Sequence, residues 1–317
     1  MVCYRRRFLI VAFAAGLALA GGTQVFAQDK IRVGLLPFSE SLGAVIADKQ
    51  GFFKEEGLNI ELSKVGSGAQ AVPVLQAGKL EIVLSNTITT LQAIEAGLDA
   101  VIVAPSAVVR RAPPDTTSAV LVRKGGNIKT PKDLEGKRFA VNVINSTAWL
   151  YAIAFLEKHG VDRSKVRFVE VPFPQMNDPL INGQLDAVGQ VEPFRTIAEG
   201  TGKIDTIGWT YVEVQPNADV TQYLALRSWV NKNRSAAVKF ASAVIKGSKY
   251  LNENEAAARE ANLQFTNLNP ALKDKVMLPR FGTEVSGAEV GKTMDLMLKY
   301  GLLKKRVDVS KHVLRMK

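Results

Sequence analysis

The stretch Gly51-Phe52-Phe53-Lys54-Glu55-Glu56-Gly57 decides how this chain is read. Before it, the apolar residues 44–47 run into the polar Asp48-Lys49-Gln50. Gly51 then ends the helix as a C-terminal glycine does. Phe52 and Phe53 offer apolar surface to a core, and Gly57 punctuates the charged turn that follows. Beyond it, Leu58-Asn59-Ile60-Glu61-Leu62 alternates as a strand does. Helix, glycine turn and strand in this order make half of a βαβ unit.

Working outward, the same alternation recurs. Strand patterns at 31–36, 58–65, 82–84 and 100–104 are interleaved with helical patterns at 42–50, 69–77 and 87–96. A Pro-rich passage, Ala112-Pro113-Pro114-Asp115-Thr116-Thr117, separates a second series. There, strand patterns at 119–123, 139–143, 166–171 and 186–189 alternate with helical ones at 147–158 and 175–182. Thr130-Pro131-Lys132-Asp133 adds a short capped helix, with proline at its first position and the acid where a capping box needs one. Such alternation predicts an α/β fold with largely parallel sheets. From 235 to 301 the apolar spacing becomes helical, with Val290, Met294, Met297 and Leu298 on one side of the last helix. The simplest arrangement is two lobes, 28–108 plus 228–317 and 109–227, with a helical tail returning to the first. Two chain crossings, near 106–110 and 210–229, would form the hinge.

Residues 1–27 read as an export signal. Arg5-Arg6-Arg7 is a basic start, residues 8–20 an apolar run, and Val25-Phe26-Ala27 a small-residue cleavage site. The run is short of the about 20 apolar residues that span a membrane. The same arginines also fit a twin-arginine export signal. The only cysteine, Cys3, would leave with this segment. The mature chain then has no thiol, which excludes disulfides, thiolate metal sites and cysteine nucleophiles. Removing Arg5, Arg6 and Arg7 lowers the net charge from +11 to +8. The basic residues are scattered, with small clusters at Arg110-Arg111 and Lys304-Lys305-Arg306, so no nucleic-acid footprint is present. A positive field would favour anionic solutes modestly through steering, or serve solubility alone.

Seven segments in order carry a resemblance. They begin with residues 51–58 and Leu75-Gln76-Ala77-Gly78-Lys79-Leu80-Glu81-Ile82. Val120-Leu121-Val122-Arg123 and Lys132-Asp133-Leu134-Glu135-Gly136-Lys137 follow. Asn145-Ser146-Thr147, Gly183-Gln184-Leu185-Asp186-Ala187 and Glu192-Pro193-Phe194 complete the set. In these the chain resembles the periplasmic binding proteins for nitrate, sulfonates and taurine, and the related thiamine-pyrimidine-precursor binding proteins. The resemblance implies a two-lobed type II periplasmic binding protein. It would be a monomeric, cofactor-free receptor that delivers a small molecule to an inner-membrane ABC permease. Glu81 and Asp186 are expected in turns, beside residues that enter the core.

In open α/β sheets ligands sit beyond the carboxyl ends of the strands. Five segments should therefore face the solute: Pro37-Phe38-Ser39-Glu40-Ser41, Gly66-Ser67-Gly68, Ser85-Asn86-Thr87, Asn145-Ser146-Thr147 and Gln190-Val191-Glu192. Hydroxyl and amide groups at helix starts suit a sulfonate, carboxylate or nitrate. Ordinary helix capping needs the same residues. Phe38 and Trp149 would supply an apolar wall, or Trp149 would be core. Glu40 and Glu192 run against an anion unless they pair with a ligand amine or a basic residue across the cleft.

An enzyme that makes the thiamine pyrimidine would need a well-placed histidine. Only His159 and His312 exist, at a helix end and in the basic tail, where both read as solvated. No metal-ligand spacing, P-loop, Gly-x-Ser-x-Gly elbow or Cys/His pair is present. A periplasmic sensory subunit would use the same cleft, and residues alone do not separate it from a transport receptor.

Overall fold

The computed structural model describes residues 30–116 and 118–316. The expected signal segment and Cys3 lie outside the described residues. In chain order, β1 (Ile31–Leu35), β2 (Ile60–Lys64), β3 (Ile82–Asn86) and β4 (Ala100–Pro105) belong to a first sheet, and β5 (Ala107–Val108) begins the crossing. β6 (Ala119–Arg123), β7 (Arg138–Val141), β8 (Arg167–Glu170), β9 (Ala187–Gln190) and β10 (Ile204–Trp209) form a second sheet. β11 (Thr221–Leu226) returns to the first, and β12 (Arg280–Phe281) pairs with β5.

The two sheets share one topology. The first runs β2-β1-β3-β11-β4 and the second β8-β7-β9-β6-β10. In each, the fourth position is taken by the strand that arrives from the other lobe, antiparallel to both neighbours. The parallel expectation therefore holds for the remaining strands and fails for β6 and β11. Thr221–Leu226 also corrects the lobe boundary at 227. It lies inside the first sheet between β3 and β4, so the return crossing ends by residue 220. Its sequence hid this. Both faces are covered, Gln222 is 1% exposed, and no alternation of polar and apolar residues survives.

Each lobe repeats one polar clamp. The Arg32 backbone N–H and Nε donate to Glu81 Oε2 at 2.7 and 3.0 Å, and its Nη2 donates to the Gly78 carbonyl at 2.8 Å. Arg138 treats Asp186 and Gly183 in the same way, at 2.8, 3.1 and 3.1 Å. The clamp ties the first parallel strand of a lobe to the turn before its third. Partial burial acts to raise the Glu81 and Asp186 carboxyls, but the arginine hydrogen bonds outweigh it and hold both below the usual carboxylate range.

The core confirms the opening stretch. Gly51 and Gly57 adopt φ of 79° and 71°, the left-handed conformation that glycine tolerates. Phe53 is 1% exposed and stacks on Phe240 of the tail helix Arg234–Glu253, with centroids 5.5 Å apart. That helix lies on Leu42–Lys49 at a close approach. A Cβ at Gly247 would stand 2.2 Å from the Gly43 carbonyl oxygen. The last tail helix, Gly287–Lys299, departs from the expected return to the first lobe. Val290, Met294 and Met297 pack with Ile88 and Leu91 of the first lobe and with Leu150 and Ile153 of the second. It closes the lobe junction.

The crossings are bonded to one another. Val109 N–H donates to the Ala218 carbonyl, Val220 N–H to the Ala107 carbonyl, and β12 flanks β5. Within this ribbon Asp219 is 4% exposed and accepts the Ser286 N–H at 3.1 Å. Burial pushes its carboxyl up to about 7, the Ser286 bond opposes this, and Glu289 and Glu284 add to it.

Two outcomes follow from this packing. Alanine in a helix is favoured over glycine by about 1 kcal/mol, yet Gly247→Ala must push two backbones apart. We expect a net loss of about 1–3 kcal/mol, read as a midpoint lowered by about 2–4 °C per kcal/mol; a raised midpoint would disprove the close approach. The folded chain also holds the Asp219 proton to higher pH than the unfolded chain, so this group's share of stability falls as pH rises from about 4 to about 7. Asp219→Asn should shrink the difference between unfolding midpoints at about pH 5 and pH 8. An unchanged difference would refute that assignment.

Candidate solute-binding cleft

The site is built from strand ends. Beyond β1 come Phe38, Ser39 and Glu40; beyond β3, Asn86; beyond β7, Asn142 and the start of the helix Thr147–Lys158. β8 leads to Phe173, β9 to Val191 and Glu192, and β10 to Tyr211. The two reversed strands present their opposite ends, so Thr116 before β6 and Val220 and Thr221 at the start of β11 reach the same place. Together they line a cavity of about 140 Å³ between the lobes.

Of the residues expected to face a solute, Phe38, Ser39, Glu40, Asn86, Ser146, Thr147, Val191 and Glu192 line this cavity. The others do not. Ser67 caps the helix Gly68–Gln76 by accepting the Gln70 N–H at 3.2 Å, and the Gln70 side chain fills the space above Gly66. A Cβ on Gly68 would lie 2.7 Å from Ser85 Oγ, so Gly68 and the fully buried Ser85 are packed against each other. Asn145, at φ 62°, is the exposed left-handed turn before the helix. Gln190 is buried and braces the loop beyond β8, donating to the Phe173 carbonyl at 3.0 Å and to Asn177 Oδ1 at 2.9 Å. Trp149 points elsewhere, edge-on to Phe168 at 6.3 Å. Neither histidine lines the cavity or stands free. His159 Nε2 lies 2.9 Å from Glu213 Oε2, and His312 Nδ1 lies 2.8 Å from the Ala100 carbonyl.

Helix capping accounts for two of the expected binding groups. Asn86 Oδ1 accepts the Thr89 N–H at 2.8 Å, and Ser146 Oγ accepts the Trp149 N–H at 3.4 Å. Asn86 does more, since the same oxygen accepts Thr147 Oγ1 of the opposite lobe at 3.0 Å. A second bridge runs from the Met277 N–H of the tail to Glu192 Oε1 at 3.2 Å.

The two acids have opposite surroundings. Glu192 is satisfied within its own turn: it pairs with Arg195, accepts Thr196 Oγ1 at 2.9 Å and the Thr196 N–H at 3.3 Å. The cation sits three residues further along the chain, on the helix Phe194–Gly200, rather than across the cleft. Glu40 has no such partner. Its Oε2 is buried without a hydrogen bond. Burial raises the carboxyl above its usual range, its own backbone N–H pulls it back, and Asp115 pushes it further up.

Sequence reading missed Thr116, Asn142, Phe173, Tyr211, Val220 and Thr221. Phe173 was open to the strand-end rule, since it follows the strand pattern at 166–171, whereas Asn142 lay inside the expected strand 139–143, which ends at Val141. Thr116, Val220 and Thr221 were not open to the rule, because they lie at the amino ends of strands whose reversal is a tertiary fact.

A family model described as NMT1/THI5 like matches residues 39–258, a span that holds both sheets' central strands and every cavity-lining residue but Phe38. The chain belongs to the NMT1/THI5-like family. Among curated relatives, YtlA of Bacillus subtilis, provisionally named a binding protein, is 24% identical over 245 residues, covering 76% of this chain and 71% of its own. Two solved structures share the fold. The periplasmic aliphatic sulphonate binding protein SsuA of Escherichia coli superposes with a TM-score of 0.74 at 18% identity, over 91% of this chain and 93% of its own. The periplasmic nitrate-binding protein NrtA of Synechocystis PCC 6803 gives 0.72 at 14% identity, over 90% and 86%. The fold of this NMT1/THI5-like chain is thus that of the periplasmic binding proteins.

The Thr147–Asn86 bond should help to hold the lobes together. At about 1 kcal/mol, its loss in Thr147→Val shifts the closed-to-open ratio about fivefold. Small-angle scattering should then give a larger radius of gyration than for the wild type or for Thr147→Ser, which keeps the hydroxyl. Equal radii for all three would remove this bond from the closure.

Proposed function

We propose that this protein is an exported, non-enzymatic receptor that closes over one small solute and presents it to the permease of an ABC importer. The observation that carries this reading is the cavity itself, lined from both lobes by groups at the ends of two matched sheets. A ligand that touches both lobes binds the closed arrangement better than the open one and shifts the population toward it. The bonded crossing ribbon supplies the hinge. Membership in the NMT1/THI5-like family and the fold of SsuA and NrtA support the same reading. The cavity volume, about 140 Å³, suits a solute of roughly one six-membered ring. The sulfonate and nitrate of those two neighbours do not transfer readily. The residues lining this cavity include no lysine, arginine or histidine.

The test is thermal unfolding of the chain from residue 28, after denaturation and refolding to strip any carried solute. The panel spans nitrate, taurine, sulfonates, aromatic carboxylates, amines and the thiamine pyrimidine. A true ligand at about a thousand times its dissociation constant adds about 4 kcal/mol, which raises the midpoint by about 8–16 °C. The same ligand should reduce the radius of gyration. Stabilisation without compaction would refute closure, and turnover of the solute would refute the non-enzymatic reading.

A further inference from the structure

We propose that the solute presents an N–H donor, as a primary amine or an amidine does, to the carboxylate of Glu40, and that this residue sets its chemical class. The inference rests on the receptor reading and narrows it.

Three observations converge. Two acids line the cavity, but Glu192 is occupied by Arg195, Thr196 and the Met277 N–H. Glu40 Oε2 is buried and has no partner. Its place is fixed by the crossing, because Ser106 Oγ donates to the Glu40 carbonyl at 2.5 Å. Second, among the described residues no cationic side chain lines the cavity; its other polar groups are hydroxyls and amides, such as Ser39, Asn86, Thr116 and Asn142. Third, the charged groups that act on Glu40 do not neutralise it. Asp115 adds negative potential, and Tyr211 is itself driven above its ordinary range, first by burial and then by Tyr151, Glu40 and Asp115. Arg110 and Arg111 act on Arg280 instead, and Arg111 and Arg280 line a different cavity with Asp219.

A buried carboxylate without a donor is costly, and a charge-assisted N–H bond is the strongest remedy available to it. An anion would instead bring a second negative charge to the same enclosed place. The raised carboxyl agrees with this surplus. It also marks the rival solution, in which Glu40 keeps a proton and donates it to an acidic solute.

Calorimetric titration with one-ring probes separates these. Benzylamine and benzamidine carry the donor, benzyl alcohol is the neutral control, and benzoate and benzenesulfonate carry the opposite charge. The wild-type chain is expected to bind the amine and amidine above the others, more tightly as pH rises through the Glu40 titration. Glu40→Gln, nearly the same shape, should weaken them about tenfold or more and leave benzyl alcohol within about twofold. Equal unfolding midpoints of the two proteins would show that the substitution leaves the fold intact. If benzoate or benzenesulfonate binds best, and more tightly at lower pH, the donor assignment is overturned while the receptor reading stands. If no probe binds, the proposal also fails. The unfolding panel then decides separately whether the receptor reading fails with it.

Discussion

Each sheet is completed by a strand that comes from the other lobe, and the rest of the molecule depends on that exchange. β6 enters the second sheet from the first crossing, and β11 enters the first sheet on the way back. Each sits between two strands that run the other way, so its amino end points where its neighbours' carboxyl ends point. The chain crosses the lobe junction beside these ends in both directions. Hinge and cavity are therefore adjacent by construction, and Thr221 and Val220 serve both: they line the cavity, and the Val220 N–H is bonded to Ala107 of the other crossing.

Charge is handled in two ways in this fold. Where a carboxylate serves structure, it is saturated. Glu81 takes three donors from Arg32 and Asp186 two from Arg138, and Glu192 takes Arg195, Thr196 and a backbone N–H from the tail. Removing a partner from such a group leaves an unpaired buried charge, so these sites resist change. Glu40 and Asp219 are different. Both are driven upward chiefly by burial, and neither is ion-paired with a basic side chain. One lines the cavity and the other lies in the crossing ribbon, the two regions that the proposed closure would involve.

Much of this was legible in the sequence, for definite reasons. Gly51 and Gly57 require positive φ, Phe53 requires a core, and the parallel strands alternate with helices at a period that composition alone reveals. Of the residues picked out by the strand-end rule, Phe38, Ser39, Glu40, Asn86, Ser146, Thr147, Val191 and Glu192 line the cavity. Gly66, Ser67 and Gly68 stay out of it because the Gln70 side chain fills the space above Gly66, Ser67 caps its own helix and Gly68 packs on Ser85. Ser85 and Gln190 stay out of it for another reason. In each case the residue is the last buried position of its strand, and the cavity begins one or two residues later. The anion expectation came from helix-start donors, and two of those groups, Asn86 and Ser146, are occupied in capping their own helices.

This division between occupied and unoccupied groups bears on how the cleft selects. Asn86 and Thr147 are bonded to each other, so part of the polar wall is used in holding the lobes together. The same is true of Glu192 through Met277. A solute that disrupted either bridge would oppose the closure that retains it. On the proposed reading, discrimination falls to lining groups that take no part in the bridges, among them the rings of Phe38, Phe173 and Tyr211 and the carboxylate of Glu40. The aromatic faces reward any ring of the right size, whereas Glu40 penalises every ring that cannot satisfy it. Unmet hydrogen-bonding capacity discriminates more sharply than apolar fit, since a mismatch leaves a buried polar group unpaired. In this cleft the residue that costs most to bury is the one best placed to choose.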